Sequence, residues 1–239
     1  MYNEERGAEL CVRTVCRVIE SLPARTALIV VDDGSKDATR QIVATLQSEE
    51  RALVLLEHEW NRGYGGALKT GARYAASTGY DYVLFMDSDL TNDPGSLPAF
   101  LEKMRQGCDV IKASRYVSGG RVVGVPAWRV LISLVGNRLA RFLFRLPLTD
   151  STNGFRAIRT ALFCRLDITE PGFPSIMQEI YQAKFLTRSF CEVPCTLTAR
   201  PSRLGRSSFS YRPGVLYSYL KYPLRSFLSR RPRDRRADD

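Results

Sequence analysis

The 239-residue chain contains a single histidine, His58, and no cysteine pair spaced C-x-x-C. A histidine-built zinc site or a Ser-His-Asp triad is therefore excluded unless His58 serves. It stands at the end of an apolar, strand-like run, which reads as a structural position. The six cysteines (Cys11, Cys16, Cys108, Cys164, Cys191 and Cys195) form no regular framework. They are expected as small, buried, free thiols of a reducing compartment. Long hydrophobic runs are also missing. The longest uncharged apolar stretch of a helical region covers residues 130–137 and is closed by Arg129 and Arg138. A bilayer span needs ~20 residues, so a soluble or peripheral protein is expected. Acid is absent from residues 121–149, which hold Arg121, Arg129, Arg138, Arg141 and Arg145.

The charge that is present is uneven. The net charge is +10, and residues 200–239 alone carry 11 Lys and Arg against 3 Asp. The first 120 residues are close to neutral or acidic. A basic second half is an address for something anionic: phosphate, lipid headgroup or nucleic acid.

With 44% hydrophobic residues the chain can bury an ample core in one large or two small domains. Leu10, Val15, Val18, Ile19 and Leu22 recur at helical spacing. The run ALIVVDDGS is apolar on both faces and ends in acids and glycine, as a buried parallel strand would. Ser35 or Asp37 can cap a following helix with Ile42, Val43 and Leu46 inward. ALVLLEH, DYVLFMD and DVIKAS read as further strands, with helices over 65–77 and 96–106 between them. Such alternation predicts a mostly parallel α/β sheet covered by helices on both faces, with ligands outside the carboxyl ends of its strands. A helix around 177–185 and a short strand FCEVPCTL follow. Residues 126–146 place Trp128, Leu131, Ile132, Val135, Leu139, Phe142 and Leu143 on one face among arginines, which fits a core helix or an interfacial helix equally. The last nine residues are expected to be disordered.

Two acidic clusters fall at strand ends, Asp32-Asp33 and Asp87-Ser88-Asp89. Two carboxylates two residues apart, where the chain leaves the pleat, can face one oxygen-seeking cation. Such a cation would neutralise a departing diphosphate. Each cluster alone is a weak signal: solvated loop acids explain most D-x-D pairs, and an Asp-Gly turn after a strand needs no ligand.

Their order is more specific. YNEE, VVDDGSKDAT, NRGYGGALKTG, FMDSDLTNDP, KASRYVSGG and DSTNGFR succeed one another between residues 2 and 156, within a likeness that covers about residues 2–209. This set resembles the family 2 glycosyltransferases of GT-A fold, and within them the polyprenyl-phosphate (dolichyl-phosphate-type) mannosyl- and glucosyltransferases. The resemblance implies a Rossmann-like nucleotide-diphospho-sugar domain over 1–210, with a donor half (1–120) and an acceptor half (121–210). A basic membrane-surface tail (211–239) with amphipathic helices follows. It implies that Tyr2 and Glu4 contact the nucleotide base, and that Asp33, with Val31 beside it, holds base or ribose. Asp87, Ser88 and Asp89 would bind the diphosphate, and Asp87 and Asp89 would carry Mg2+ or Mn2+, with Thr91 completing the metal site. Arg115 and Arg156 would grip phosphate, and Asp150 belongs to the acceptor motif. The family's arginine before a G-x-S-K segment maps to Arg200 or Arg203, but here the lysine is Ser208. The partners implied are a nucleotide sugar, a polyprenyl phosphate and an anionic membrane surface, with a membrane-anchoring subunit as a further candidate. The implied location is the cytoplasmic face of a membrane.

The residue inventory agrees with that chemistry. A lipid monophosphate presents an anionic oxygen already and needs cations rather than a base. A sugar-hydroxyl acceptor would need one, with Glu179 or Asp150 as candidates. A nucleic-acid-binding reading uses the basic charge but leaves the D-x-D strand end unexplained, so no nucleic-acid partner is expected. A folded but inactive homologue is the remaining alternative. The opening MYNEE would sit naturally after a strand, so about ten residues before Met1, forming a central strand, are expected in the working protein.

Overall fold

The computed structural model describes residues 1–201 and 213–229. Arg203, the Gly205–Ser208 segment and the last nine residues lie outside the described residues. The elements run α1 (Ala8–Glu20), β1 (Leu28–Asp32), α2 (Thr39–Glu49), β2 (Leu53–Glu57), α3 (Gly63–Ser77), β3 (Tyr82–Phe85), α4 (Leu97–Arg105) and β4 (Val110–Ser114). After them come β5 (Arg121–Val123), α5 (Ala127–Phe144), β6 (Arg156–Arg159), α6 (Thr160–Phe163), α7 (Ser175–Leu186), β7 (Phe190–Pro194), β8 (Thr196–Thr198) and α8 (Pro213–Leu228).

The alternation read from the sequence produces the expected α/β architecture, with its helices packed on both faces of the strands. Pairing is parallel for β1–β2, β4–β7 and β5–β8. One strand is the exception in this mostly parallel arrangement. β6 lies antiparallel between β3 and β4, giving a four-stranded order β3-β6-β4-β7. Its four residues, Arg-Ala-Ile-Arg, carry no strand signature; both arginines are accommodated by tertiary partners, Arg156 by Glu179 and Arg159 by Asp109.

The core follows the apolar periodicities. Cys11, Val15 and Ile19 of α1 pack with Phe100, Ile111 and Phe155, while Ala8, Val12 and Cys16 pack with Val30, Val43 and Leu46. On the other face Ala72 and Ala75 of α3 meet Val83, Phe85 and Ile158. The small residues of α3 let it lie close against the strands.

Two sequence expectations are corrected here. Cys108 and Cys191 are joined as a disulfide, with Cα atoms 6.2 Å apart. The pairing of β4 with β7 sets Cys191 opposite Ile111 and so brings the two sulfurs together across 83 residues of sequence. Cys11, Cys16 and Cys195 are buried free thiols as expected, whereas Cys164 is exposed. The core-helix reading of 126–146 also fails. Of its apolar face only Leu143 is buried; Trp128, Leu131, Val135 and Phe142 are 52%, 60%, 55% and 66% exposed. α5 is held instead by its opposite side, through Asn137, Ala140 and Phe144, and by α8, whose Phe227 ring lies 5.8 Å from that of Phe142. Among the described residues no helix is long and apolar enough to cross a membrane.

Candidate active site

Loops after β1, β2 and β3 converge with the amino-terminal loop. Asn3, at φ 54°, accepts from the N–H of Lys36 (2.9 Å) and donates its own N–H to Ser35 (3.0 Å). Asparagine tolerates this left-handed conformation better than most residues. The Glu4 N–H donates to Thr39 Oγ1 (2.8 Å), and Glu5 accepts from the Ala38 N–H (3.1 Å). YNEE is thus knitted to the DDGSKDAT loop residue by residue.

Asp33 is oriented from behind. Its Oδ1 lies 2.6 Å from His58 Nδ1 and accepts from the Arg62 N–H at 2.8 Å, while His58 Nε2 lies 2.8 Å from Thr70 Oγ1. His58 is structural, as its position at a strand end suggested, but it also aims a candidate binding carboxylate. The turn has no room for a side chain at Gly34 (φ 74°), where a Cβ would come within 2.7 Å of the Trp60 backbone.

Asp87 and Asp89 follow β3. Leu90 takes φ 55°, a strained conformation for a branched side chain. The reversal lets Thr91 donate both its hydroxyl (2.7 Å) and its N–H (3.1 Å) to Asp89 Oδ1. Arg200 donates to Asp89 Oδ2 (3.2 Å) and to Glu4 Oε2 (2.7 Å), so its guanidinium ties the two acidic loops together. Burial first, and the charge of Asp89 second, push the Asp87 carboxyl up to about 6. Gly154 lies against this carboxyl, and a Cβ there would stand 3.1 Å from Asp87 Oδ2.

A crowded, like-charged pair open on one side fits a divalent cation, with Asp87, Asp89 and Thr91 as the protein's oxygens. Among the described residues no group of three His, Cys, Asp or Glu is gathered at metal-binding spacing, so remaining ligands would come from phosphate or water.

The acceptor-side residues are more tightly engaged than their motif suggests. Arg115 clasps Asp150 through Nε (2.6 Å) and Nη2 (2.8 Å) and also donates to Thr152 (2.9 Å). Burial works to raise the Asp150 carboxyl, but the charge and hydrogen bonds of Arg115 outweigh it and hold it below the usual range. Arg156 is fully buried, donating to Glu179 at 2.6 and 2.7 Å and to the Gly154 carbonyl at 2.7 Å. Lys112, also fully buried, donates to the Asn153 carbonyl; burial, then the charge of Arg156, lowers it to about 7.

One cleft of about 2000 Å³ joins these parts. Tyr2, Glu4, Val31, Asp33, Asp87, Ser88, Asp89, Thr91, Arg115 and Arg200 all line it. So do Arg129, Leu131, Ile132, Val135 and Leu139 on the exposed face of α5. Asp150 and Arg156 do not line it; they stand behind it. The sequence reading missed Glu192, which accepts from the N–H groups of Thr149 (2.8 Å) and Asp150 (3.0 Å) and fixes the loop bearing Asp150. It also missed Asn137, whose Oδ1 accepts from the Ser151 N–H at 2.8 Å. Both act across 14 or more residues from helix or strand positions that carry no local motif.

Strands ending in two acidic loops above one cleft define a GT-A sugar-transferase fold. Solved structures agree: glucosyl-3-phosphoglycerate synthase from Mycobacterium tuberculosis, crystallised with Mn2+, UDP and phosphoglyceric acid, superposes with a TM-score of 0.65. That match has 20% identity and covers 95% of this chain and 76% of the synthase. The same synthase with Mg2+ and UDP matches with a TM-score of 0.63 at 20% identity, over 95% of this chain and 76% of that one.

The chain belongs to glycosyl transferase family 2, whose profile matches residues 1–166, and it is a glycosyltransferase. Undecaprenyl-phosphate mannosyltransferase of Micrococcus luteus is 33% identical over 212 residues, 87% of this chain and 84% of that protein. Polyprenol monophosphomannose synthase of Mycolicibacterium smegmatis is 29% identical, covering 96% of this chain and 86% of the relative. Dolichol-phosphate mannosyltransferase of Pyrococcus furiosus is 27% identical over 92% of this chain and 60% of its own length.

Proposed function

We propose that the protein transfers a hexose from a nucleotide sugar, GDP-mannose or UDP-glucose, to a polyprenyl phosphate at a membrane surface, inverting the anomeric carbon. Mannose is favoured by the names of the three relatives. The observation that carries the reading is the single cleft, with the Asp87–Asp89 pair at one part of its wall and the exposed apolar face of α5 at another. A phosphate at the acids and a lipid chain along α5 could share it.

Tyr2, Glu4, Val31 and Asp33 would hold the nucleoside, and Ser88 would sit beside the diphosphate. Asp87, Asp89 and Thr91 would hold Mg2+ or Mn2+, which supplies charge to stabilise the departing nucleoside diphosphate. Arg200 and Arg115, both on the cleft wall, would be the cations that meet phosphate. The acceptor's phosphate oxygen attacks the anomeric carbon as its bond to the diphosphate breaks. No proton need be removed, because the attacking oxygen is already anionic. The alternative hydroxyl acceptor finds less support: Asp150 and Glu179, the two candidate bases, are each buried and held bidentately by an arginine, Arg115 and Arg156. Arg156, walled off with Glu179, is assigned to positioning the Gly154 loop against Asp87 rather than to gripping phosphate.

The exposed α5 face, free of acids and rich in arginine, suits the surface of an anionic bilayer. The test is a transfer assay with purified enzyme, each nucleotide sugar in turn, Mn2+, and either polyprenyl phosphate or a glycan acceptor. Transfer to the glycan alone would sink the reading.

A further inference from the structure

Helix α8 is built into the cleft and not merely appended to the domain. Tyr222 and Ser226 are buried on its inner side. There Lys184 of α7 donates to Ser226 Oγ and to the Phe144 carbonyl at the end of α5 (3.0 Å). About one turn earlier, Leu216, Tyr219 and Leu220 line the cleft, as do Tyr64 and Phe173. The surroundings of the Tyr219 hydroxyl come from both halves of the domain. Burial pushes it well up, Tyr64 and Asp87 add to the rise, and Arg115 and Arg156 oppose it. The phenol therefore stays protonated and can donate.

The loop between α6 and α7 ties this helix to the donor side. Glu170 Oε1 accepts from Lys221 Nζ and from the Tyr222 hydroxyl, both at 2.7 Å. These two bonds hold the Glu170 carboxyl below its usual range. Next to it, the Pro171 carbonyl accepts from the Gly65 N–H at 3.0 Å. The Glu170 carbonyl packs so closely on Gly65 that a Cβ there would stand 2.3 Å away. Phe173 then brings its ring to 5.0 Å from that of Tyr64, whose hydroxyl accepts from Arg156 Nη1 at 3.3 Å. One short loop thus fastens α8 to the start of α3, at the residues that flank Tyr64.

We propose that Tyr219 binds substrate, donating its hydroxyl to the phosphate of the lipid acceptor, and that Glu170 is the positioning residue that holds α8 and Tyr219 in place. This rests on the reading of the acceptor as a lipid monophosphate. A neutral donor suits the position. A cation so near Asp87 would pair with it, as Arg200 pairs with Asp89, whereas a phenol can donate to an anionic oxygen without neutralising the acids. The hydrocarbon that follows such a phosphate needs an apolar wall, and Leu216 and Leu220 of α8 line the cleft together with Val135 and Leu139 of α5.

The test uses the full chain and its Tyr219→Phe, Glu170→Ala and Glu170→Gln variants, with the Tyr219→Phe, Glu170→Ala double variant. Farnesyl phosphate is the probe, read by titration calorimetry without turnover; GDP and UDP, each with Mn2+, are titrated separately. Loss of one hydrogen bond to a charged oxygen should weaken farnesyl phosphate binding by about tenfold or more in Tyr219→Phe. Nucleotide binding should stay within about threefold and Tm should not change. Glu170→Ala should weaken farnesyl phosphate by a similar factor, Glu170→Gln should recover most of the loss, and the double variant should be no weaker than Tyr219→Phe, because the two residues act as one unit. Farnesyl phosphate binding that is unchanged in Tyr219→Phe overturns the role of Tyr219, as does a loss confined to the nucleotides. Losses that multiply in the double variant overturn the role of Glu170. A parent chain that binds GDP or UDP but not farnesyl phosphate overturns the lipid-phosphate reading itself, a result distinct from a failure of Tyr219 alone.

Discussion

Arg156 and Glu179 offer a decisive test of what the DSTNGFR segment does. Both side chains are buried, joined by hydrogen bonds of 2.6 and 2.7 Å, and the Arg156 guanidinium lies 4.6 Å from the Phe85 ring. Removing one partner of such a pair leaves a buried charge and costs about 3–5 kcal/mol. Replacing both by apolar groups of similar volume is close to neutral. Arg156→Met alone should therefore lower Tm by about 10 °C, at 2–4 °C per kcal/mol for a chain of this size. Adding Glu179→Met should restore most of that loss. The assay is thermal unfolding of the four members of the double-mutant cycle, followed by steady-state kinetics on the restored variant. Because Arg156 does not line the cleft, the acceptor KM of the double variant should stay within about threefold of the parent. A coupling energy near zero would refute the buried-pair reasoning. A stable double variant with an acceptor KM raised by about 100-fold would show that Arg156 touches phosphate after all.

Other perturbations follow from the same geometry. Arg200→Ala removes a cation that sits on Asp89 and Glu4, so Mn2+ alone should bind more tightly while the nucleoside diphosphate binds more weakly in its presence; titration calorimetry reads both signs. Equal loss of both would mean that Arg200 is only a structural clip. Lys112 has its folded pKa lowered to about 7, so between that value and its ordinary 10.5 the unfolded chain holds a proton the folded chain does not. Stability contributed by this group rises with pH across that window. The Tm gap between Lys112→Met and the parent should accordingly shift in favour of the parent from pH 7 to pH 9.5; a gap independent of pH would contradict the burial argument. Leu131→Asp with Val135→Asp places two charges on the exposed face of α5 and should cut binding to anionic vesicles by about tenfold or more without lowering Tm.

The parts of the fold and site that were legible in the sequence are local. DDGS and DSDL announce themselves because an acid-rich turn after an apolar strand needs only adjacent residues. The YNEE loop was legible for the same reason, and the structure ties it by hydrogen bonds to Ser35, Lys36 and Thr39. What the sequence hid is what tertiary contact decides. β6 is four residues with two arginines, and its pairing with β3 and β4, with Glu179 and Asp109 neutralising the arginines, is set by residues distant in sequence. The Cys108–Cys191 disulfide spans 83 residues. Arg156 reads as a phosphate ligand by its motif, yet Glu179, 23 residues on, takes the Nε–Nη2 edge of its guanidinium and the Gly154 carbonyl takes Nη1. The periodicity of 126–146 revealed an apolar face but not whether anything covers it, which is a property of the neighbours and not of the helix.

The central claim is that the acid pair and the α5 face serve one transfer from nucleotide sugar to lipid phosphate. It is tested most directly by incubating the full chain with radiolabelled GDP-mannose or UDP-glucose, polyprenyl phosphate and Mn2+, beside the Asp89→Asn variant and a chelator control. The account predicts label in the lipid phase, lost with chelator and lowered by about 100-fold or more in the variant. Label transferred only to a sugar hydroxyl, or undiminished lipid labelling by Asp89→Asn, would contradict it.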